Sequence, residues 1–143
     1  TGYNGQAFAV TLGGKGDITS DRLWLHPRAT QRVGSGVVID NHIYIVEESG
    51  IPHCYDLNSG AEVWQVKKRP NGGKTWGSMV YANARLYVLM KNGSTLVFAA
   101  GPKYELLATN KLAAGAATNS SLAVSDGEIF LRTFKNLYCI TQK

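Results

Sequence analysis

Gly-Ser-Gly-Val-Val-Ile-Asp-Asn-His-Ile-Tyr-Ile, from Gly34 to Ile45, decides the fold because it returns twice more along the chain. Gly77 to Val88 reads Gly-Ser-Met-Val-Tyr-Ala-Asn-Ala-Arg-Leu-Tyr-Val, and Ser120 to Leu131 reads Ser-Ser-Leu-Ala-Val-Ser-Asp-Gly-Glu-Ile-Phe-Leu. The three segments align without gaps. Ser35, Ser78 and Ser121 stand at a step of 43 residues, and so do Asp40, Asn83 and Asp126, and Tyr44, Tyr87 and Phe130. Each copy has the pattern strand, two-residue turn, strand. The turns fall on Asp40-Asn41, Asn83-Ala84 and Asp126-Gly127. A type I′ turn needs φ above zero at both central residues, which suits Asp-Gly well. Ala84 suits it poorly, so the middle hairpin is expected to use another turn.

Working outward, a third strand follows each hairpin. Gly50 to Leu57 matches Gly93 to Ala100 at the same step, and Leu137 to Ile140 ends the last copy about two residues short of it. A fourth strand, Glu62 to Gln65, matches Glu105 to Ala108, with Trp64 opposite Leu107. The start of the chain joins the pattern: Gln6 to Leu12 reads as a third strand and Arg22 to Leu25 as a fourth, with Trp24 in the place of Trp64. Four short strands per repeat of about 43 residues is the signature of a propeller blade. The expected fold is therefore all-β, a partial β-propeller of four-stranded antiparallel blades amounting to about three blade equivalents. Residues 1–33 carry strands C and D of a partial blade, 34–74 and 75–116 are whole blades, and 117–143 carry strands A to C of a last one.

The stretch Tyr55-Asp56-Leu57-Asn58-Ser59-Gly60-Ala61-Glu62-Val63-Trp64 resembles the repeat of the pyrroloquinoline-quinone-like propellers, whose usual pattern is Ala-x-Asp-x-x-Thr-Gly-x-x-x-Trp. Gly60 fits the turn position of that pattern, where φ above zero is needed. The resemblance gives Trp64 the role of a docking tryptophan between neighbouring blades. Ala100, Gly101 and Leu107 depart further from the pattern. Gly13 to Thr19, followed by Leu23-Trp24, is similar to a blade of secreted planctomycete-type propeller proteins. The resemblance implies a fold more than a function, because sites are grafted onto folds. It also implies a secreted or periplasmic location.

Quinone-dependent dehydrogenases of this class carry a calcium site and a catalytic Asp near the central axis, which the acids of this chain do not assemble in sequence. Asp40 and Asp126 belong to turns and Asp56 to the repeat pattern. Asp17 and Asp21 share one loop but lack the ligand spacing of a known calcium loop. His26, His42 and His53 have no zinc-type spacing to one another. His42 is expected to be solvated, His53 partly buried in a strand, and His26 a loop residue able to reach a ligand. The recurring serines are expected to satisfy backbone groups at the start of inner strands rather than to attack a substrate. Cys54 and Cys139 lie in third strands of blades that are not neighbours, too far apart for a disulfide. Both are expected to be buried apolar residues. No catalytic set, metal site or cofactor site emerges, and no cofactor is expected.

The formal charge of +5 does not by itself name a partner. The densest basic cluster, Lys67, Lys68, Arg69 and Lys74, lies in a Pro-Asn-Gly-Gly stretch that reads as a solvated loop. Nucleic acid is not an expected partner, since clustered basic residues lack groove-reading elements. No apolar run approaches the ~20 residues of a membrane-spanning helix. The connections from outer strand to next inner strand, Pro27 to Gly34, Lys67 to Gly77 and Asn110 to Asn119, run over one face of the scaffold. Aromatic and basic residues on loops of a rigid scaffold form a reasonable binding surface. Arg32, Arg69, Lys74 and Trp76 are the candidate binding residues, with inter-blade packing as the competing role for Trp76. The expected function is a non-catalytic scaffold or binding module for a protein or small ligand. The alternative is the C-terminal part of a quinone-dependent dehydrogenase. Two whole blades with ragged ends leave open edges, so a homodimer or further blades of a larger chain are expected to complete the ring.

Overall fold

The computed structural model describes residues 5–29, 33–70, 73–112 and 116–141. Among these residues thirteen strands alternate with turns: β1 Ala7–Val10, β2 Arg22–His26, β3 Val37–Ile39, β4 His42–Val46, β5 Pro52–Asp56, β6 Glu62–Gln65, β7 Val80–Ala82, β8 Arg85–Leu89, β9 Ser94–Ala99, β10 Leu106–Lys111, β11 Ala123–Ser125, β12 Glu128–Arg132 and β13 Leu137–Ile140. A short 3-10 turn, Thr19–Asp21, precedes β2. The strands form antiparallel sheets in sequence order: β1-β2, β3 to β6, β7 to β10, and β11 to β13. The fold is thus the partial β-propeller that the repeat implies.

Pairing follows the repeat. Val37 faces Tyr44, Val80 faces Tyr87 and Ala123 faces Phe130. Asp126 and Gly127 take φ of 49° and 78°. The middle hairpin departs from expectation. Asn83 and Ala84 take φ of 47° and 56°, so this turn also has both central residues in the left-handed region. The shared twist of the flanking strands selects the primed turn, and Ala84 bears the steric cost of its Cβ there.

The core lies between blades. Tyr44, Val46 and Cys54 of the β3–β6 sheet pack with Met79, Leu86, Val88, Leu96 and Phe98 of the next. Leu89 packs with Leu122 and Leu131 of the last sheet. The β7–β10 sheet is covered on both faces, so β9 is buried along nearly its whole length. That explains why its sequence, Ser-Thr-Leu-Val-Phe-Ala, shows no polar-apolar alternation.

Inner strands meet closely around the axis. A Cβ on Gly34 would collide with the carbonyl of Gly77, and one on Gly77 with that of Ser120. The repeat serines link these strands: the Ser35 amide donates to Ser78 Oγ (3.0 Å) and the Ser78 amide to Ser121 Oγ (2.8 Å). A nucleophilic serine needs an adjacent base, and these hydroxyls are engaged by backbone amides instead.

Candidate functional site

Strand direction alternates within each blade. The B–C and D–A connections therefore share one end of the sheets, and the A–B and C–D connections share the other. At the first end, backbone hydrogen bonds tie one blade to the next. Thr75 N donates to Glu48 O (3.1 Å), Lys91 N to Lys74 O (2.8 Å), Thr118 N to Lys91 O (3.1 Å) and Phe134 N to Ala117 O (3.0 Å).

Trp76 sits in this belt. Buried Thr75 clamps the chain before it: its hydroxyl donates to Leu89 O (2.7 Å) and accepts from Gly77 N (2.9 Å). The same device recurs 43 residues on, where Thr118 Oγ1 donates to Arg132 O (2.6 Å) and accepts from Ser120 N (3.0 Å). The Trp76 indole N–H donates to Glu48 Oε1 (3.2 Å) and the Lys91 ammonium lies 3.5 Å from its ring centroid. Glu48 and Lys91 come from neighbouring blades, so Trp76 bridges them while staying 39% exposed. Trp76 therefore packs between blades while part of its ring stays open to solvent. Lys74 and Arg69 are exposed on the same end, with only the backbone of Lys74 in the belt. Arg32 lies outside the described residues.

The histidines differ from expectation: His42 is half-buried rather than solvated, His53 is buried rather than partly so, and His26 lies in a strand. His26 is the last residue of β2, paired with Ala7, rather than a loop residue. Its ring packs on Trp24 and Tyr55, at centroid distances of 5.0 and 5.6 Å. His42 is half-buried beside Tyr44. His53 is 3% exposed within an internal polar group that the sequence alone did not assemble. Its Nδ1 lies 2.7 Å from Glu62 Oε1 and 3.1 Å from the Tyr55 hydroxyl, and its Nε2 lies 3.8 Å from Glu47 Oε2. Period-two reading places His53 in a strand but cannot show that Glu62, from the paired strand, reaches back to it.

Asp17 caps a turn: its Oδ1 accepts from the amide (2.9 Å) and hydroxyl (2.6 Å) of Thr19, and these bonds hold its carboxyl below the usual range. Asp56 does the same for Ser59, with the same consequence. Among the described residues no three His, Cys, Asp or Glu side chains are grouped to hold a metal ion.

The cysteines split. Cys54 is fully buried and Cys139 is exposed, and both are free. Exposure of Cys139 corrects the expectation that both are buried. The two hold equivalent places, opposite Tyr44 and Phe130. Cys54 is covered by Trp64 on the paired outer strand, whereas β13 has no outer neighbour among the described residues. Burial pushes the Cys54 thiol up to about 11 and the Tyr44 phenol up to about 12.

The docking tryptophans behave as the repeat pattern implies. Trp24 Nε1 donates to Leu57 O (2.8 Å), and the Trp24 ring lies against Gly60, leaving no room for a Cβ. Trp64 Nε1 donates to Gly101 O (3.0 Å) one blade further on. Leu107, in the third copy, is 44% exposed, and a cleft of about 140 Å³ lined by Tyr87, Ile129, Leu131 and Ile140 persists between those blades.

These features define a β-propeller segment whose blades are docked by tryptophan. Comparison with known proteins narrows the class. Residues 2–66 match the family model described as outer membrane protein assembly factor BamB. No curated protein sequence matches the chain. Among solved structures, BamB from Moraxella catarrhalis superposes with a TM-score of 0.75 at 14% identity, over 96% of this chain and 40% of that one. The chain thus spans 40% of the length of that protein. The computationally designed Ika4 protein gives 0.65 at 12% identity, over 87% and 74% of the two chains. A quinohemoprotein alcohol dehydrogenase from Comamonas testosteroni gives 0.57 at 16%, over 71% and 17%. Residues 2–66 thus match a family model, and the solved structures, all at low identity, show that the whole chain has the propeller fold. The planctomycete-type resemblance of residues 13–24 is not addressed by these matches.

Proposed function

We propose that the chain is a non-catalytic propeller scaffold that binds a partner protein or small ligand through the connections at one end, with Arg32, Arg69, Lys74 and Trp76 as its binding residues. The observation that carries this reading is Trp76, held between two blades by Glu48 and Lys91 with part of its indole open. A rigid, half-open aromatic flanked by cations costs little ordering entropy on binding. The match of residues 2–66 to the model described as an outer membrane protein assembly factor supports the same reading and a secreted or periplasmic location. No helix among the described residues is long and apolar enough to cross a membrane.

The proposed modules are residues 1–33, 34–74, 75–116 and 117–143, with the ring completed by further blades or by a second copy. Among the described residues β13 pairs only with β12, and an edge strand favours strand addition. β2 already pairs with β1 along Ala7–Val10, so it would meet a partner's β13 through its other edge.

Titration of the chain with pyrroloquinoline quinone and calcium is expected to give no saturable binding. One-to-one binding would replace the scaffold reading with the dehydrogenase alternative. Sedimentation of the 143-residue chain by itself is expected at the mass of a dimer. A monomer with a sharp cooperative melt would overturn completion by a second copy.

A further inference from the structure

We infer that the end carrying Trp76 is a docking surface for an acidic polypeptide segment with an apolar side chain at its centre. This rests on the scaffold reading and adds the chemistry of the partner.

The topology sorts charge in a way the linear sequence hides. Of the ten acidic residues, all but Glu47 and Glu48 lie at the end formed by the A–B and C–D connections, or on the strand ends that meet them. Apart from Lys15, Arg22, Arg85 and Lys103, every basic residue among the described ones lies at the opposite end. The two acids that share that basic end are already engaged. Glu47 is buried and accepts from Ser49 Oγ (2.6 Å), and Glu48 accepts from the Trp76 indole. The field over this end is therefore positive and would steer an acidic partner toward it.

The basic end also offers apolar anchorage. Trp76 is 39% exposed and Phe134 66% exposed. Beside Phe134 is a hollow of about 130 Å³ lined by Thr118, Asn119, Ser120, Arg132 and Thr133. The belt of backbone hydrogen bonds that joins Glu48, Thr75, Lys91 and Thr118 fixes these side chains on neighbouring blades before any partner arrives. Aromatic anchors ringed by cations on a preorganised frame fit a peptide with acidic flanks.

Other polyanions fit less well. A stacking platform for nucleic acid needs open aromatic faces along a basic track. Here Lys91 lies over the Trp76 ring, and the cations are dispersed over several blades. A bilayer surface would favour a contiguous apolar patch, whereas Trp76 and Phe134 belong to separate connections.

The test uses a fluorescein-labelled peptide of Glu and Asp with a central Leu-Phe pair, titrated against the full chain by anisotropy at low and high salt. Saturable binding that weakens with salt is expected. Lys74→Glu with Lys91→Glu should weaken it by about tenfold or more, while Arg85→Glu with Lys103→Glu, of equal charge change, should alter it less than about twofold. Should Lys91→Glu lower the melting temperature, Lys74→Glu with Lys135→Glu, both on exposed loops, gives the same readout. Absence of saturable binding, equal losses in the two pairs, or tighter binding of a single-stranded oligonucleotide or of anionic vesicles would each overturn the inference. Each such failure is distinct from failure of the scaffold reading, which only cofactor binding brings down.

Discussion

Trp64 and Cys54 face each other across β5 and β6, and each sets a different property of the blade. The Trp64 ring packs against Tyr44 and Tyr104, at centroid distances of 6.1 and 5.4 Å, and its N–H reaches across to the next blade. Trp64→Ala should cost about 3–5 kcal/mol, measured by urea denaturation, through loss of a large aromatic and of an inter-blade hydrogen bond. A loss below about 1 kcal/mol would show that it docks nothing. Cys54 stays protonated at neutral pH because burial lifts its thiol to about 11, and the thiolate is the reactive form. In native protein at mildly alkaline pH, a thiol reagent should label exposed Cys139 and leave Cys54 untouched until denaturant is added. Equal labelling of both would contradict the burial of Cys54. Side-chain identity made the docking role of Trp64 legible in sequence. The different fates of two cysteines at equivalent blade positions were not legible, because they depend on what covers each strand.

The hairpins were legible as elements, and their geometry less so. Strand positions and register followed from the 43-residue step, and Val37, Val80 and Ala123 hold the same paired place. The turn at Asn83-Ala84 read as an exception, yet it keeps the left-handed geometry because the sheet twist outweighs the preference of alanine. Ala84→Gly should therefore stabilise the protein by about 0.5–1 kcal/mol, the relief of strain exceeding the added chain entropy of glycine. An unchanged or lower denaturation midpoint would mean the turn bears no such strain. The D–A connections read from sequence as loops over one face, but the clamp that shapes them does not show there. Thr75 and Thr118 recur at the repeat step and both are buried, a signal available to a search for repeated polar residues outside strands. Lys91 and Glu48 escaped notice because the B–C turns that carry them are distant in sequence from Trp76.

Across the whole molecule, a step along the sequence becomes a rotation about an axis. Charge of opposite sign collects at the two ends because strand direction alternates, which no window of sequence displays. The serine ladder is the most direct trace of this geometry, since each bond joins residues 43 apart in neighbouring blades. The ladder joins the inner strands of successive blades where they approach most closely. Amide hydrogen exchange, followed residue by residue by NMR in the native chain and in Ser78→Ala, tests it. The Ser35 amide should be protected in the native chain and lose protection in the variant, while the Ser78 amide, bonded to Ser121, keeps its own. Exchange of both amides at the rate of an unstructured chain, or a Ser35 amide indifferent to Ser78→Ala, would contradict blades arranged around a common axis.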